Sequence, residues 1–249
     1  MPRRRADPGQ GLVVALVIVG CSSPRSSGQP QDAAVDDALD VAVLGCPPAP
    51  LDEWTPPAYH PAQPMESVCS ALFISDFYSS CVGPSQSSTA CAQTWGSGAD
   101  AAHLLCEACL VTPTSSPTWG PLVNYGSASG TGTVSVNVAG CVELLDPSKL
   151  GCATSVQQAD ECQHQACDVT CPVTDATSFA RWQACIDTAA ATSCLGSLTA
   201  AACVNAEDAG PAATCVSGAD FETQLADIAT VFCGSGGGGD SGNGDGGGD

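Results

Sequence analysis

Basic residues are scarce in this chain. Six Lys and Arg stand against 26 Asp and Glu, which gives a formal net charge of −20, and charged residues make up only 13% of the 249 residues. Proteins that bind nucleic acids contact phosphates through clustered Lys and Arg, so this composition excludes a nucleic acid as partner. The sequence also lacks an apolar run of about 20 residues, which excludes a protein with several membrane-spanning helices.

Large apolar side chains are scarce as well. Leu, Ile, Val and Phe together make up fewer than a fifth of the residues, and this property, combined with a high net charge, is typical of disordered chains. Cysteine is abundant instead, with 17 residues, as in proteins that fold with disulfide bonds in an oxidising compartment. The sequence therefore predicts an exported protein whose fold depends on disulfide bonds.

The first twenty residues are typical of an export signal. Three arginines at positions 3–5 precede an apolar run at positions 12–19. Ile18-Val19-Gly20-Cys21 closes this run and resembles the lipobox of bacterial lipoprotein signal peptides. The resemblance implies that residues 1–20 are removed and that Cys21 carries the lipid. Two alternatives remain: ordinary secretion with Cys21 as a thiol, or a buried strand of the folded domain in place of a signal.

The number of cysteines agrees with the lipobox resemblance. Seventeen is an odd number, and lipidation of Cys21 leaves sixteen cysteines that can all pair. In the lipoproteins that the segment resembles, a serine after the lipidated cysteine, here Ser22, goes with sorting to the outer membrane. We therefore expect a protein anchored by lipid in the cell envelope, in the outer membrane or at the cell surface. The cysteines expected to form disulfides are Cys46, Cys69, Cys81, Cys91, Cys106, Cys109, Cys141, Cys152, Cys162, Cys167, Cys171, Cys185, Cys194, Cys203, Cys215 and Cys233.

Composition divides the rest of the chain into three segments. Residues 21–64 are rich in Pro, Ser and Asp and are expected to form an extended tether, stapled at Cys46, with Trp54 and Tyr59 docking on the domain nearby. Residues 65–233 carry the remaining cysteines and are expected to form the ordered domain. Residues 234–249 contain only Gly, Ser, Asn and Asp and are expected to be a disordered tail.

Helical periodicity dominates residues 65–233. Helices are predicted near 66–80, from an N-cap at Asp100, over 155–170, from Asp175, over 198–203 and over 221–233. The first is marked by Val68, Leu72, Phe73 and Phe77; the fourth by Phe179, Trp182, Ile186 and Ala189; and the last by Phe221, Leu225, Ile228 and Phe232.

Two β-rich runs interrupt this pattern, at 122–125 and 134–138, and a glycine-rich stretch separates them. They predict a hairpin near residues 121–139. The expected fold is thus mainly α: a small disulfide-stapled helical domain with one β-hairpin insertion, flanked by a disordered tether and tail.

A second resemblance covers parts of the ordered segment. The run at 139–147, the cysteines 162 and 167, Cys171-Pro172-Val173 and the closing Val231-Phe232-Cys233-Gly234 resemble a group of cysteine-rich exported bacterial lipoproteins. That group has no known activity. The resemblance therefore implies export and disulfide bonds, and it implies nothing about chemistry.

Two cysteine clusters could be taken for redox or metal sites. Cys106 and Cys109 have CxxC spacing, but no buried strand precedes them as it does in a thioredoxin-like site, so we interpret them as structural half-cystines. His103 with these two cysteines, and His164 with Cys162, Cys167 and Cys171, have spacings that a zinc site could use. Zinc needs thiolates, which disulfide formation removes, so no metal site is predicted.

Catalysis has no evident starting point in the sequence. No Gly-x-Ser-x-Gly motif occurs, and a triad would depend on His60, His103 or His164, which we expect at the surface. The neighbours Asp160 and Glu161 would point about 100° apart on a helix. We therefore predict no catalytic residue and no cofactor, and a non-catalytic surface lipoprotein with a structural, binding or adhesion role toward a protein or envelope partner. The alternative is an exported enzyme, or a redox or metal-binding protein.

Overall fold

The computed structural model describes residues 16–17, 45–83, 86, 88–96, 98–126, 133–205 and 210–234. Residues 1–15 and 18–20 of the predicted signal peptide, residues 21–44 of the predicted tether with Cys21, residues 127–132 and the predicted tail beyond residue 234 lie outside these ranges. The protein is mainly helical, as predicted. Its helices are α1 (Ala71–Phe77), α2 (Ser88–Thr94), α3 (Ala101–Leu110), α4 (Val138–Leu145), α5 (Leu150–Cys167), α6 (Ala176–Ala191), α7 (Leu195–Ala201) and α8 (Phe221–Cys233). A π-helical turn (Tyr78–Val82) follows α1, and 3-10 turns lie at Pro147–Lys149, Ala202–Asn205 and Gly210–Val216.

A small sheet contains the predicted hairpin. Strands β3 (Leu122–Asn124) and β4 (Thr133–Val136) pair antiparallel, and β2 (Val111–Pro113), which was not predicted, pairs parallel to β3. The hairpin ends earlier than predicted, because Asn137 caps α4 with its side chain and Val138 begins that helix. On the far edge, β1 (Leu16–Val17) pairs antiparallel with β4. Two residues of the apolar run at 12–19 thus lie in a strand, as the strand alternative requires, and the signal-peptide interpretation stays a prediction.

Short polar side chains fix where the helices begin. Asp100 and Asp175 accept backbone hydrogen bonds at the N-termini of α3 and α6, as predicted, and Asp220 does the same for α8. The first helix differs from the prediction. It begins only at Ala71, after the N-cap Ser70, and it buries Ile74 and Phe77 while Leu72 is exposed.

Eight disulfide bonds join the sixteen predicted cysteines. The pairs are Cys46–Cys171, Cys69–Cys106, Cys81–Cys91, Cys109–Cys233, Cys141–Cys215, Cys152–Cys203, Cys162–Cys194 and Cys167–Cys185. The two cysteines of the CxxC spacing, Cys106 and Cys109, pair with different partners. They are structural half-cystines, as predicted.

The buried apolar side chains form two clusters, which we call the first and second cores. The first core lies among α1, α3, α4 and α8 and contains Trp95, Leu110 and Phe232. The second lies among α5, α6 and α7 and is centred on Trp182. Helix α5 contributes to both, since Ala153 belongs to the first core and Ala166 to the second.

One glycine permits the close approach of two helices in the first core. A Cβ at Gly140 of α4 would lie 2.7 Å from the ring of Phe232 on α8 and 2.6 Å from the side-chain amide of Asn137. Such separations are shorter than carbon contacts allow. A substitution there would therefore push α4 and α8 apart.

Residues 45–64, the second half of the predicted tether, lie against the domain. Cys46 is disulfide-bonded to Cys171, and the expected docking of Trp54 and Tyr59 is found: Trp54 packs on the second core, and Tyr59 packs on the first and donates a hydrogen bond to Glu143. The ordered part therefore begins before the predicted boundary at residue 65. The prolines of this segment favour an extended chain, and an extended chain is able to follow the domain surface.

We expect the Cys109–Cys233 bond to stabilise the protein more than the Cys81–Cys91 bond does. The first closes a separation of 124 residues and the second one of 10, and a longer loop restricts the unfolded chain more strongly. The double variant Cys109→Ala/Cys233→Ala should therefore lose about 2 kcal/mol more free energy of unfolding than Cys81→Ala/Cys91→Ala. Guanidinium denaturation of both variants measures the difference, and equal losses would contradict the expectation.

Candidate binding site

The middle of α5 carries polar residues into the region between the two cores. Gln157, Glu161, Gln163 and His164 are all buried there. Burying a polar group without a hydrogen bond costs free energy of folding, so the partners of these side chains show which of them the protein itself satisfies.

His164 lies at the centre of this region. It is only 2% exposed, and its ring stacks on Tyr125 with ring centres 3.4 Å apart and planes 2° apart. Its Nδ1 lies 3.0 Å from a carboxylate oxygen of Asp168, whose other oxygen accepts a 2.7 Å hydrogen bond from the indole of Trp182. The expectation of a surface histidine was wrong for this residue. The i to i+4 spacing brings Asp168 one turn along the same helix, and the hairpin supplies the covering ring.

Asp160 lies one turn before His164. Its carboxylate accepts 2.8 Å hydrogen bonds from the hydroxyls of Tyr125 and Ser135, and one of its oxygens is 3.9 Å from Nε2 of His164. Burial and the nearby Asp160 carboxylate raise the pKa of Tyr125, which therefore remains a neutral donor. Asp160 thus joins the β3–β4 hairpin to α5.

Two buried polar atoms in the cluster have no hydrogen-bond partner among the described residues: Oε2 of Glu161 and Nε2 of His164. Burial and the Asp160 charge raise the pKa of Glu161 to about 7, although a hydrogen bond from Gln157 acts in the opposite sense. Burial lowers the pKa of His164, but the Asp168 and Asp160 carboxylates outweigh it and raise the value overall. Both shifts favour the protonated side chains near neutral pH.

The cluster is not arranged as a Ser-His-Asp triad. In a triad the histidine lies between the serine and the acid, so that it takes the hydroxyl proton. Here Asp160 lies between Ser135 and His164, and Ser135 donates its proton to the carboxylate. This geometry holds the hydroxyl in place and does not activate it as a nucleophile.

The segment 58–63 closes one side of the cluster. The His60 backbone N–H donates a 2.9 Å hydrogen bond to Gln157, and the His60 ring stacks on Trp119 with centres 4.4 Å apart. Glu143 accepts a hydrogen bond from Tyr59 and one from the backbone N–H of Ala62. Acceptors on α4 and α5 therefore hold this proline-rich segment in position.

A cavity of about 280 Å³ opens beside the cluster. Its walls come from the hairpin, the start of α4, α5, α7, the following 3-10 turns and the start of α8. Apolar side chains such as Val123, Val156 and Leu198 form somewhat more than half of the surface. Asp160 and Gln163 of α5 also line it. The volume is close to the lower limit for pockets that take small molecules, about 300 Å³.

The cysteines of the zinc-like spacings are engaged elsewhere. Those at 106, 109, 162, 167 and 171 are all in disulfides, and Nδ1 of His103 lies 2.9 Å from its own N-cap residue, Asp100. In the part of the chain that the structure describes, no three His, Cys, Asp or Glu residues are grouped so that they could hold a metal ion. The helices within the same residues include none with the length and apolarity to cross a membrane.

Sequence reasoning missed most of this site. Asp160 and Glu161 were considered only as a pair, whereas the four-residue spacing of Asp160, His164 and Asp168 places all three on one helix face. That spacing was visible in the sequence. The contributions of Tyr125 and Ser135 were not, because they depend on how the hairpin packs on α5.

We expect the protein to be less stable at about pH 8 than at about pH 5. The pKa of Glu161 rises from 4.5 to about 7 on folding, so the folded chain binds more protons between these values and stability falls as the pH rises through that window. The raised pKa of His164 acts in the same sense: its contribution is complete below its unfolded value and is lost as the pH rises through its folded pKa. Guanidinium midpoints measured across this range give the dependence.

Glu161→Gln, which resembles the protonated acid, should flatten this pH dependence. Glu222→Gln on the exposed surface of α8 changes the net charge equally and should leave the dependence as in the wild type. If both variants have the same pH profile, the general repulsion among the acidic residues, rather than Glu161, causes the effect.

No family model matches the chain, and neither a curated protein nor a solved structure matches it.

Proposed function

We propose that this protein is a non-catalytic lipoprotein of the cell envelope that binds a partner or ligand outside the cytoplasm. Eight disulfide bonds carry the first part of the proposal. Such bonds form and persist in oxidising compartments, so the chain folds after export. With all sixteen cysteines after residue 45 paired, Cys21 is the cysteine left for another use.

The lipobox resemblance supplies that use. Gly20-Cys21 follows an apolar run with arginines before it, and lipidation at Cys21 would attach the chain to a membrane. An outer-membrane or cell-surface position agrees with Ser22. Removal of residues 1–20 would also remove β1, but the sheet does not depend on it, since β4 pairs with β3 along its other edge.

A binding role agrees better with the site than catalysis does. The most polar part of the interior, around His164, holds a hydroxyl against a carboxylate without activating it. The cavity beside it combines valine, leucine and alanine side chains with several polar ones, among them Asn137, Asp160 and Gln163, and pockets that bind small molecules also combine apolar walls with polar groups. The support for a non-catalytic role is this arrangement of Asp160, Ser135 and His164.

The Cys21→Ala variant tests the anchor. We expect the wild-type protein to partition with membranes and to carry acyl chains on Cys21 by mass spectrometry, with residues 1–20 removed. The variant should keep residues 1–20, because the lipoprotein peptidase acts on a lipidated cysteine.

A matched control is Ser23→Ala, which lies two residues further on and should be processed and anchored as the wild type. A wild-type protein recovered without acyl chains, free in the medium, would contradict the anchor. A wild-type protein that keeps residues 12–19 would instead support the strand alternative.

A further inference from the structure

The cavity is lined by an amide side chain that has no hydrogen-bond partner in the described part of the chain. Gln163 is only 3% exposed and lines the cavity, and its side-chain amide makes no hydrogen bond with any described residue. Gln157, which lies six residues earlier on α5, differs in this respect: its side chain accepts a hydrogen bond from the His60 backbone N–H and donates one to Glu161. The amide atoms of Gln163 are not among the fully enclosed polar atoms that lack a partner, so they are accessible from the cavity that they line. Because amides inside folded proteins are nearly always hydrogen-bonded, the Gln163 side chain is available for a group that enters the cavity.

The charge around the cavity has one sign. Asp160 is the ionisable side chain among the described residues that line it, and its side chain is 23% exposed. On this face of α5 the two carboxyl side chains of Asp160 and Asp168 flank the single basic side chain, His164, so acidic groups outnumber basic ones beside the cavity. The whole chain adds to the same field, with 26 acidic against six basic residues. A cation is attracted to such a cavity and an anion is repelled.

The apolar walls and the volume of the cavity limit the size and the chemistry of the ligand's uncharged part. Valine, leucine and alanine side chains from the hairpin, α4, α5, α7 and the 3-10 turns form somewhat more than half of the surface, and polar side chains such as Asn137 and Gln224 form much of the rest. A volume of about 280 Å³ admits a single small ring or a short branched chain. Burial of that apolar body would supply most of the affinity, and the polar group would fix the orientation.

We infer that this cavity binds small organic amines, with the ammonium group on the Asp160 carboxylate, a hydrogen bond to the Gln163 side-chain oxygen, and the apolar body between the hairpin and α7. The inference rests on the proposed binding role and gives it a ligand class. It does not depend on the anchor at Cys21, so the lipidation test can fail while this one succeeds, and the reverse.

Three probes with the same ring test it: phenethylamine, 2-phenylethanol and phenylacetate. Titrated into the oxidised, exported protein in a calorimeter, phenethylamine should bind saturably, and 2-phenylethanol about tenfold more weakly, because a hydrogen bond to a charged group contributes about 1.5–3 kcal/mol. Phenylacetate should not bind. Absence of saturation with phenethylamine up to about 10 mM, or binding of phenylacetate as strong as that of the amine, would overturn the inference.

Variants locate the site. Asp160→Asn should remove the preference for the amine over the alcohol, and Asp187→Asn on the exposed surface of α6 should keep it. Gln163→Met keeps the volume but not the amide and should weaken amine binding severalfold, whereas Gln165→Met, exposed on the same helix, should not. Equal effects of Gln163→Met and Gln165→Met would contradict the placement.

A measurement on the wild-type chain does not depend on how the variants fold. Phenethylamine should shift the side-chain amide resonances of Gln163 in a ¹⁵N-labelled sample and leave those of Gln165 unchanged. Shifts confined to residues outside the cavity would show that the amine binds elsewhere and would overturn the inference.

Discussion

The disulfide bonds that join distant parts of the chain are the constraint on which the rest of the structure depends. Cys109–Cys233 brings the end of α3 to the end of α8, and Cys46–Cys171 attaches the proline-rich segment to the turn after α5. Both bonds close separations of more than a hundred residues, which restricts the unfolded chain strongly. A chain with so few large apolar side chains gains less from burial, and the cross-links compensate for that deficit.

This constraint explains how a polar band can persist inside a small protein. Between the two cores, α5 buries Gln157, Glu161, Gln163 and His164, and burial of polar groups opposes folding unless they are paired. Asp160 and Asp168 pair with donors from the hairpin and from α6. The side-chain amide of Gln163 has no partner among the residues that the structure describes, and the cavity beside it is the place where we infer that a ligand binds. The Cys152–Cys203 and Cys162–Cys194 bonds lie beside this cavity and join α5 to the segment around α7, so cross-links stabilise the same part of the chain that carries the unpaired side chain.

Local signals in the sequence predicted much of the fold. The spacing of Phe221, Leu225, Ile228 and Phe232 predicted α8, and all four are buried. Asp100 and Asp175 predicted two helix starts because a short acidic side chain bonds the backbone N–H groups that open a helix. Helix α4 was missed, because it contains Gly140 and glycine is a poor helix former. The requirement for a glycine at this position comes from the close approach of the Phe232 ring on α8, which the sequence does not reveal. Strand β2 was missed because three residues carry no periodicity.

Composition and spacing by themselves determined that the chain is rich in disulfide bonds, as proteins of oxidising compartments are, and mainly helical, because these properties follow from counts and from contacts within a few residues. The choice of partner for each cysteine, the return of residues 45–64 onto the domain and the burial of His164 were decided only by the tertiary structure. Each of them depends on residues far apart in the sequence. Tyr125 covers His164 because the hairpin packs on α5, and Asp160 and Gln163 line a cavity because α5 lies against both the hairpin and α7. Helical spacing shows which residues share a face, and only packing shows what that face meets.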